Sequence, residues 1–151
     1  MKKSMRKLSV LILMATVLLC GCQANSESAD VSAYYENLSK AQEIAVIPAN
    51  ASAEIEILIE NKDIVDFVVA LDMEHWELKS LPKAAELVGS FLFSQEETIK
   101  FGQSAASGEM NSVCEILCYE EIPYLTMKVA GMEMTFKVSD TTAEYLIAYF
   151  Q

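Results

Sequence analysis

Residues 113–137 constrain the fold more than any other stretch, because three alternating apolar and polar runs there lock together by register. With Ala130-Gly131 as a two-residue turn, Val129 faces Met132, Met127 faces Met134 and Leu125 faces Phe136 on one side of a sheet. The other side then pairs Lys128 with Glu133, Thr126 with Thr135 and Tyr124 with Lys137. A four-residue loop from Glu120 to Pro123 adds the preceding strand in the same sense, setting Cys118 against Leu125, Ile116 against Met127, Cys114 against Val129 and Glu115 against Lys128. Two hairpins agree on which side is the core, and such consistency is what a single native fold requires.

Upstream, Ile44 to Ile47 and Ala53 to Glu60 read as strands joined through Pro48 to Ser52. In the second, Ile55, Ile57 and Ile59 alternate with Glu54, Glu56 and Glu60, which predicts a buried isoleucine face and a wet acidic one. Asn61 is placed to cap a helix whose Ile64, Phe67, Val68 and Leu71 form one apolar stripe, expected against the isoleucines. Trp76 and Leu78 suit a short strand ended by Leu81-Pro82, with a turn over Lys83 to Val88. Phe91 to Ser94 and Thr98 to Phe101 fit a hairpin that sets Phe93 opposite Ile99 and Phe91 opposite Phe101, with an irregular polar loop from Gly102 to Ser112 after it. The last helix has Thr141 and Glu144 as a capping box and Ala143, Leu146, Ile147 and Phe150 as its buried stripe. This order predicts one α+β domain, a single twisted antiparallel sheet of about six to eight strands with two main helices packed on one face. The order resembles that of the TATA-binding-protein-like fold, a likeness of topology that implies no function.

Ahead of the domain, Lys2, Lys3, Arg6 and Lys7 form a positive head, and Leu8 to Leu19 form an apolar run too short to span a bilayer. This secretory leader ends in Leu19-Cys20-Gly21-Cys22, which resembles the lipobox of bacterial prolipoproteins. The resemblance implies that Gly21 precedes the cut, that the Cys22 sulfur receives diacylglycerol and that the new amino terminus is open to acylation as well. Cys20 does not fit as acceptor, since bulky Leu19 would precede it. Two or more acyl chains anchor stably, at about 0.8 kcal/mol per buried methylene. The expected organisation is a signal peptide over 1–21, the acylated Cys22 with a flexible tether to 41, and a domain over 42–151 on the extracytoplasmic face of a cell membrane. Ala33 to Ala41 reads as a short helix carrying Tyr34 and Tyr35. With Trp76, then Leu81-Pro82, then an aromatic hairpin, the body is similar to small uncharacterised extracellular domains of Gram-positive bacteria.

Four of the 11 basic residues stand in the leader, so residues 22–151 carry seven lysines against 22 acidic residues, a net charge of −15. The one arginine, Arg6, leaves with the leader, which removes the guanidinium fork suited to phosphates. Nucleic acid is disfavoured as a partner, and so is direct adhesion to anionic lipid.

The residues able to carry chemistry are few. On one strand, Cys114 and Cys118 would stand roughly 13 Å apart, beyond the roughly 7 Å a disulfide spans. They are left as buried free thiols, as partners in a bridge through a bulge or between molecules, or as reactive thiols. His75 is the only histidine, and it has no nucleophile elbow or metal-ligand spacing around it. Glu54, Glu56 and Glu60, and the Glu96-Glu97 and Glu120-Glu121 pairs, form no calcium-loop pattern and read as solvated charge. Met127, Met132 and Met134 read as core under the last helix. The candidate interaction face is the outer side of the same sheet, where Tyr119, Tyr124, Leu117, Thr126 and Thr135 surround Lys128. The reading is a non-enzymatic lipoprotein binding module without metal or cofactor, held to the membrane by the Cys22 lipid and facing a protein partner. The alternative is an acidic inhibitor or immunity lipoprotein that neutralises a basic toxin or enzyme, and a hydrolase built on His75 or a cysteine ranks last.

Overall fold

A computed structural model of the chain describes residues 31–51, 53–97 and 109–151. The alternation of the second half forms the strands it demands. Strands β5 (Met110–Tyr119), β6 (Tyr124–Val129) and β7 (Met132–Lys137) pair antiparallel with Cys118 on Leu125, Ile116 on Met127, Leu125 on Phe136 and Val129 on Met132. The β6–β7 turn puts Ala130 at φ 49° and Gly131 at φ 78°, the pair of left-handed residues that a two-residue hairpin turn requires.

Four further strands complete one sheet: β1 (Glu43–Pro48), β2 (Glu56–Leu58), β3 (Glu77–Leu78) and β4 (Leu87–Glu96). The seven run in the order β2-β1-β4-β5-β6-β7-β3, antiparallel throughout. The chain reaches the far edge at β3 and crosses back. Lys79 N–H donates to Thr135 O, and Glu120 N–H donates to Glu86 O, so residues 79–86 carry the chain past β6 and β5 into β4.

Three helices, α1 (Val31–Leu38), α2 (Asn61–Ala70) and α3 (Asp140–Ile147), put their buried side chains into one cluster with Phe91, Phe93, Ile116, Leu125 and Met127 of the sheet. Burying such side chains stabilises the fold by about 1.5–3 kcal/mol each. Phe67 is the centre. Fully buried on α2, its ring lies 4.8 Å from Phe91, 6.0 Å from Phe93, 5.9 Å from Tyr145 and 5.6 Å from Tyr149. Trp76 packs 5.1 Å from Phe136, and its indole N–H donates to Leu71 O at 2.7 Å. Gly89 lets the C-terminal turn approach β4, because a Cβ there would stand 2.3 Å from the Phe150 ring and 2.7 Å from Ile47 O.

The first half departs from expectation in several places. Ile44 pairs with Leu58 and Val46 with Glu56, so Leu58 and Glu56 take the helix side of β2, and Ile57 sits beside Ala45 on the other side. Ile55, Ile57 and Ile59 are therefore exposed, and α2 packs on β1 and β4 residues instead of on them. The expected Phe91–Phe101 hairpin does not form as such. Phe93 pairs with Ile44 and Cys114, and Phe91 with Val46 and Ile116, which fills both flanks of β4; residues 98–101 themselves lie outside the described residues. Asn61 is the first residue of α2, not its cap; Glu60 holds that position without a side-chain bond. The cap of α3 is Ser139, whose Oγ accepts from Thr142 N–H at 3.1 Å, two residues before the expected Thr141. The helix then buries Thr142 and Leu146. Leu38 and Ala41 are buried in the core, so the folded body reaches back into the segment read as tether.

Candidate functional site

Because every helix packs on one side, the opposite side of the sheet carries no helix among the described residues, and strand alternation decides what it displays. Across one rank the register sets Ile57, Ala45, Leu92, Glu115, Lys128 and Glu133 side by side. The neighbouring rank runs Ile47, Ser90, Leu117, Thr126 and Thr135. The face is thus apolar toward β2 and polar toward β7.

Tyr119, Tyr124, Leu117, Thr126, Lys128 and Thr135 all lie on this side, but they are not equally reachable. Tyr119 is 6% exposed and Thr126 is fully shielded. The Tyr119 phenol donates to Thr126 Oγ1 at 2.9 Å, and Thr126 Oγ1 lies 2.8 Å from Thr135 Oγ1, so these three hydroxyls satisfy one another. That chain is a fixed floor, which corrects the expectation that Tyr119 and Thr126 are surface contacts. Tyr124, Lys128 and Thr135 are half-buried, with part of each side chain exposed. Lys128 Nζ stands 3.3 Å from Glu115 Oε2, a partly exposed pair that contributes little stability and can exchange partners. Beside it, Leu92, Ser112, Val113, Glu115, Val129 and the Ala130-Gly131 turn enclose a shallow recess of about 220 Å³ with Lys128 at its wall. A bulge in β5, where Phe93 pairs with Cys114 but Ser94 with Ser112, shapes this end of the sheet.

The two cysteines face the other way. Cys114 and Cys118 are buried, free thiols on the core side, and neither is bridged. Burial pushes both thiols up to about 12, helped for Cys114 by the nearby Glu115 charge, so neither is a thiolate at neutral pH. His75 is exposed in a 3-10 turn, Met73–His75, where Nδ1 contacts Asp72 Oδ1 at 2.8 Å. That hydrogen bond and the Asp72 charge raise its pKa, and among the described residues no hydroxyl or thiol is bonded to it. Among the described residues, no three His, Cys, Asp or Glu side chains gather as a metal site. No helix of those residues is long and apolar enough to cross a membrane. Gly21 and Cys22 lie outside the described residues.

One surface feature escaped sequence reasoning. Ile55 is 56% exposed, Ile57 46% and Ile59 68%, along an edge of the sheet. On the helix side of that edge, Ile55, Glu56, Tyr145, Ala148, Tyr149 and Gln151 line a groove of about 540 Å³. A signal was present: α2 carries Val65 and Val69 besides its buried stripe, more apolar residues than one packed face uses, and both are exposed. Comparisons with protein-family models, with curated proteins and with solved structures find no match to this chain.

Proposed function

We propose that this protein is a non-enzymatic binding module, held by lipid on Cys22 at the outer face of a cell membrane, that engages a protein partner through the open side of its sheet. The observation that carries the reading is the open side of β6 and β7: Tyr124, Lys128 and Thr135 are half-buried there, Lys128 stands at the wall of a recess, and Thr135 is tied into a chain of mutually bonded hydroxyls with Thr126 and Tyr119. A rigid sheet presenting an aromatic ring, an exchangeable lysine and a threonine suits recognition, since little entropy remains to be lost on binding. The leader and Leu19-Cys20-Gly21-Cys22 supply the support for the tether. The strongly acidic balance of the chain also supports the alternative of an inhibitor or immunity lipoprotein that neutralises a basic toxin or enzyme.

Chemical crosslinking on intact cells tests the proposal. The wild-type chain is expected to give a discrete adduct that is lost with Cys22→Ala, which releases the anchor, and with Tyr124→Ser/Lys128→Gln, whose unfolding midpoint is checked against the wild type. An adduct unchanged in the double variant would remove this face from consideration. Association that collapses with added salt would favour the inhibitor reading.

A further inference from the structure

Strand β2 is an outer strand of the sheet, pairing with β1 on one side only. Among the described residues no strand pairs with its other edge, and natural proteins usually blunt such an edge with charge or cover it. Here charge is present, but so is uncovered apolar surface. Ile55, Ile57 and Ile59 are exposed, while Glu54, Glu56 and Glu60 are exposed acids that form no ion pair among the described residues.

The two sides of this edge differ in chemistry. On the open side an added strand would lay its residues beside Ile57 and, beyond it, Ala45 and Leu92. On the helix side its residues would enter the groove walled by Glu56, Tyr145 and Tyr149, whose two phenols are bonded to each other at 2.9 Å. The charge of Glu56 reaches this groove: after burial and the Tyr145 bond, it is among the causes that raise the Tyr149 phenol. A lysine or arginine there would meet a carboxylate and aromatic faces together.

We infer that the outer edge of β2 accepts an extended segment of another protein in which apolar residues alternate with basic ones, the apolar set covering Ile57 and the basic set entering the Glu56–Tyr149 groove. Backbone pairing supplies affinity in such strand addition and the alternate side chains supply selectivity. A second copy of this chain is the poorer occupant. Its own β2 would bring Glu54, Glu56 and Glu60 against their equivalents, and like charges set opposite one another destabilise a pairing. The edge is separate from the Tyr124–Lys128 region, and the inference does not rest on the tether.

Fluorescence anisotropy with the whole chain in non-ionic detergent provides the test, using labelled short peptides that alternate valine and lysine. The alternating peptide is expected to bind at least about tenfold tighter than a peptide of the same composition arranged in blocks, and tighter still than a valine–glutamate alternation. Methylating the peptide nitrogens at one alternate set of residues should abolish binding, while methylating the interleaved set should spare it. Glu56→Lys should weaken the lysine peptide by about tenfold at low salt. Equal binding of the block peptide, equal tolerance of both methylated sets, or full affinity in Glu56→Lys would each overturn the inference. A dimer of the unliganded chain that the peptide dissociates would assign the edge to a second copy and overturn the choice of occupant.

Discussion

Replacing Thr126 with valine separates the role of the hydroxyl floor from that of the surface around it. Thr126 is fully shielded, and its Oγ1 accepts the Tyr119 phenol at 2.9 Å while bonded at 2.8 Å to Thr135. Valine keeps the shape but leaves the phenol of Tyr119, only 6% exposed, without a partner. An unmade buried donor costs about 1–3 kcal/mol, whereas one bond made in place of water contributes about 1 kcal/mol. Thr126→Val is therefore expected to destabilise by about 1–3 kcal/mol and Tyr119→Phe by about 1 kcal/mol. The double variant has no orphaned donor, so it should cost about 1 kcal/mol or more less than the sum of the two. Thr135 is half-buried and its hydroxyl can turn to water. Equilibrium urea unfolding of the four chains measures this cycle. Strict additivity, or a Thr126→Val chain as stable as the wild type, would refute the claim that these hydroxyls form a closed floor.

Packing and charge set three other expectations. Gly89→Ala should destabilise in the same assay, by about 1–3 kcal/mol, since the new Cβ meets a β1 carbonyl as well as Phe150; equal or greater stability would contradict the close approach. Cys114 and Cys118 have folded-state pKa values raised from 9.0 to about 12, so the stability this contributes is complete below about pH 9 and is lost as pH rises toward 12. Alkylation of both thiols should accordingly be slow in the native chain and fast in urea, and fast labelling of the folded protein at pH 8 would count against their burial. His75 should titrate above its ordinary 6.5 by NMR, with any associated stability present at low pH and lost as pH rises through that midpoint; Asp72→Asn should return the midpoint toward 6.5, and an unmoved midpoint would discount the pair.

The legible parts of the fold were those whose partners are close in sequence. The β5–β6 and β6–β7 registers come from alternation and turn length alone, because one hairpin fixes both phase and partner. Alternation in β2 gives two faces, and the expectation that the isoleucine face is the inner one is reversed in the structure. That was decided by pairing Leu58 with Ile44, which commits Glu56 to the helix side. The β4 assignment failed for a related reason: both flanks of Phe91 and Phe93 are taken by β1 and β5, and the β1 partners Val46 and Ile44 lie far back in the chain. At the candidate site, alternation placed the residues around Lys128 on one face correctly but could not rank their exposure. The burial of Tyr119 and Thr126 depends on a hydrogen bond across strands that no spacing reveals. Likewise, the exposure of the β2 isoleucines follows from the sheet order, which depends on pairings distant in sequence.

Partner binding through the open side of the sheet is tested most directly by placing a photo-crosslinking side chain at Tyr124, on that side, and in a second chain at Glu144, exposed on α3. Both chains are expressed on intact cells with Cys22 in place. A discrete protein adduct is expected from position 124 and none of the same mass from position 144. The same adduct from both positions, or from position 144 alone, would contradict binding through this face.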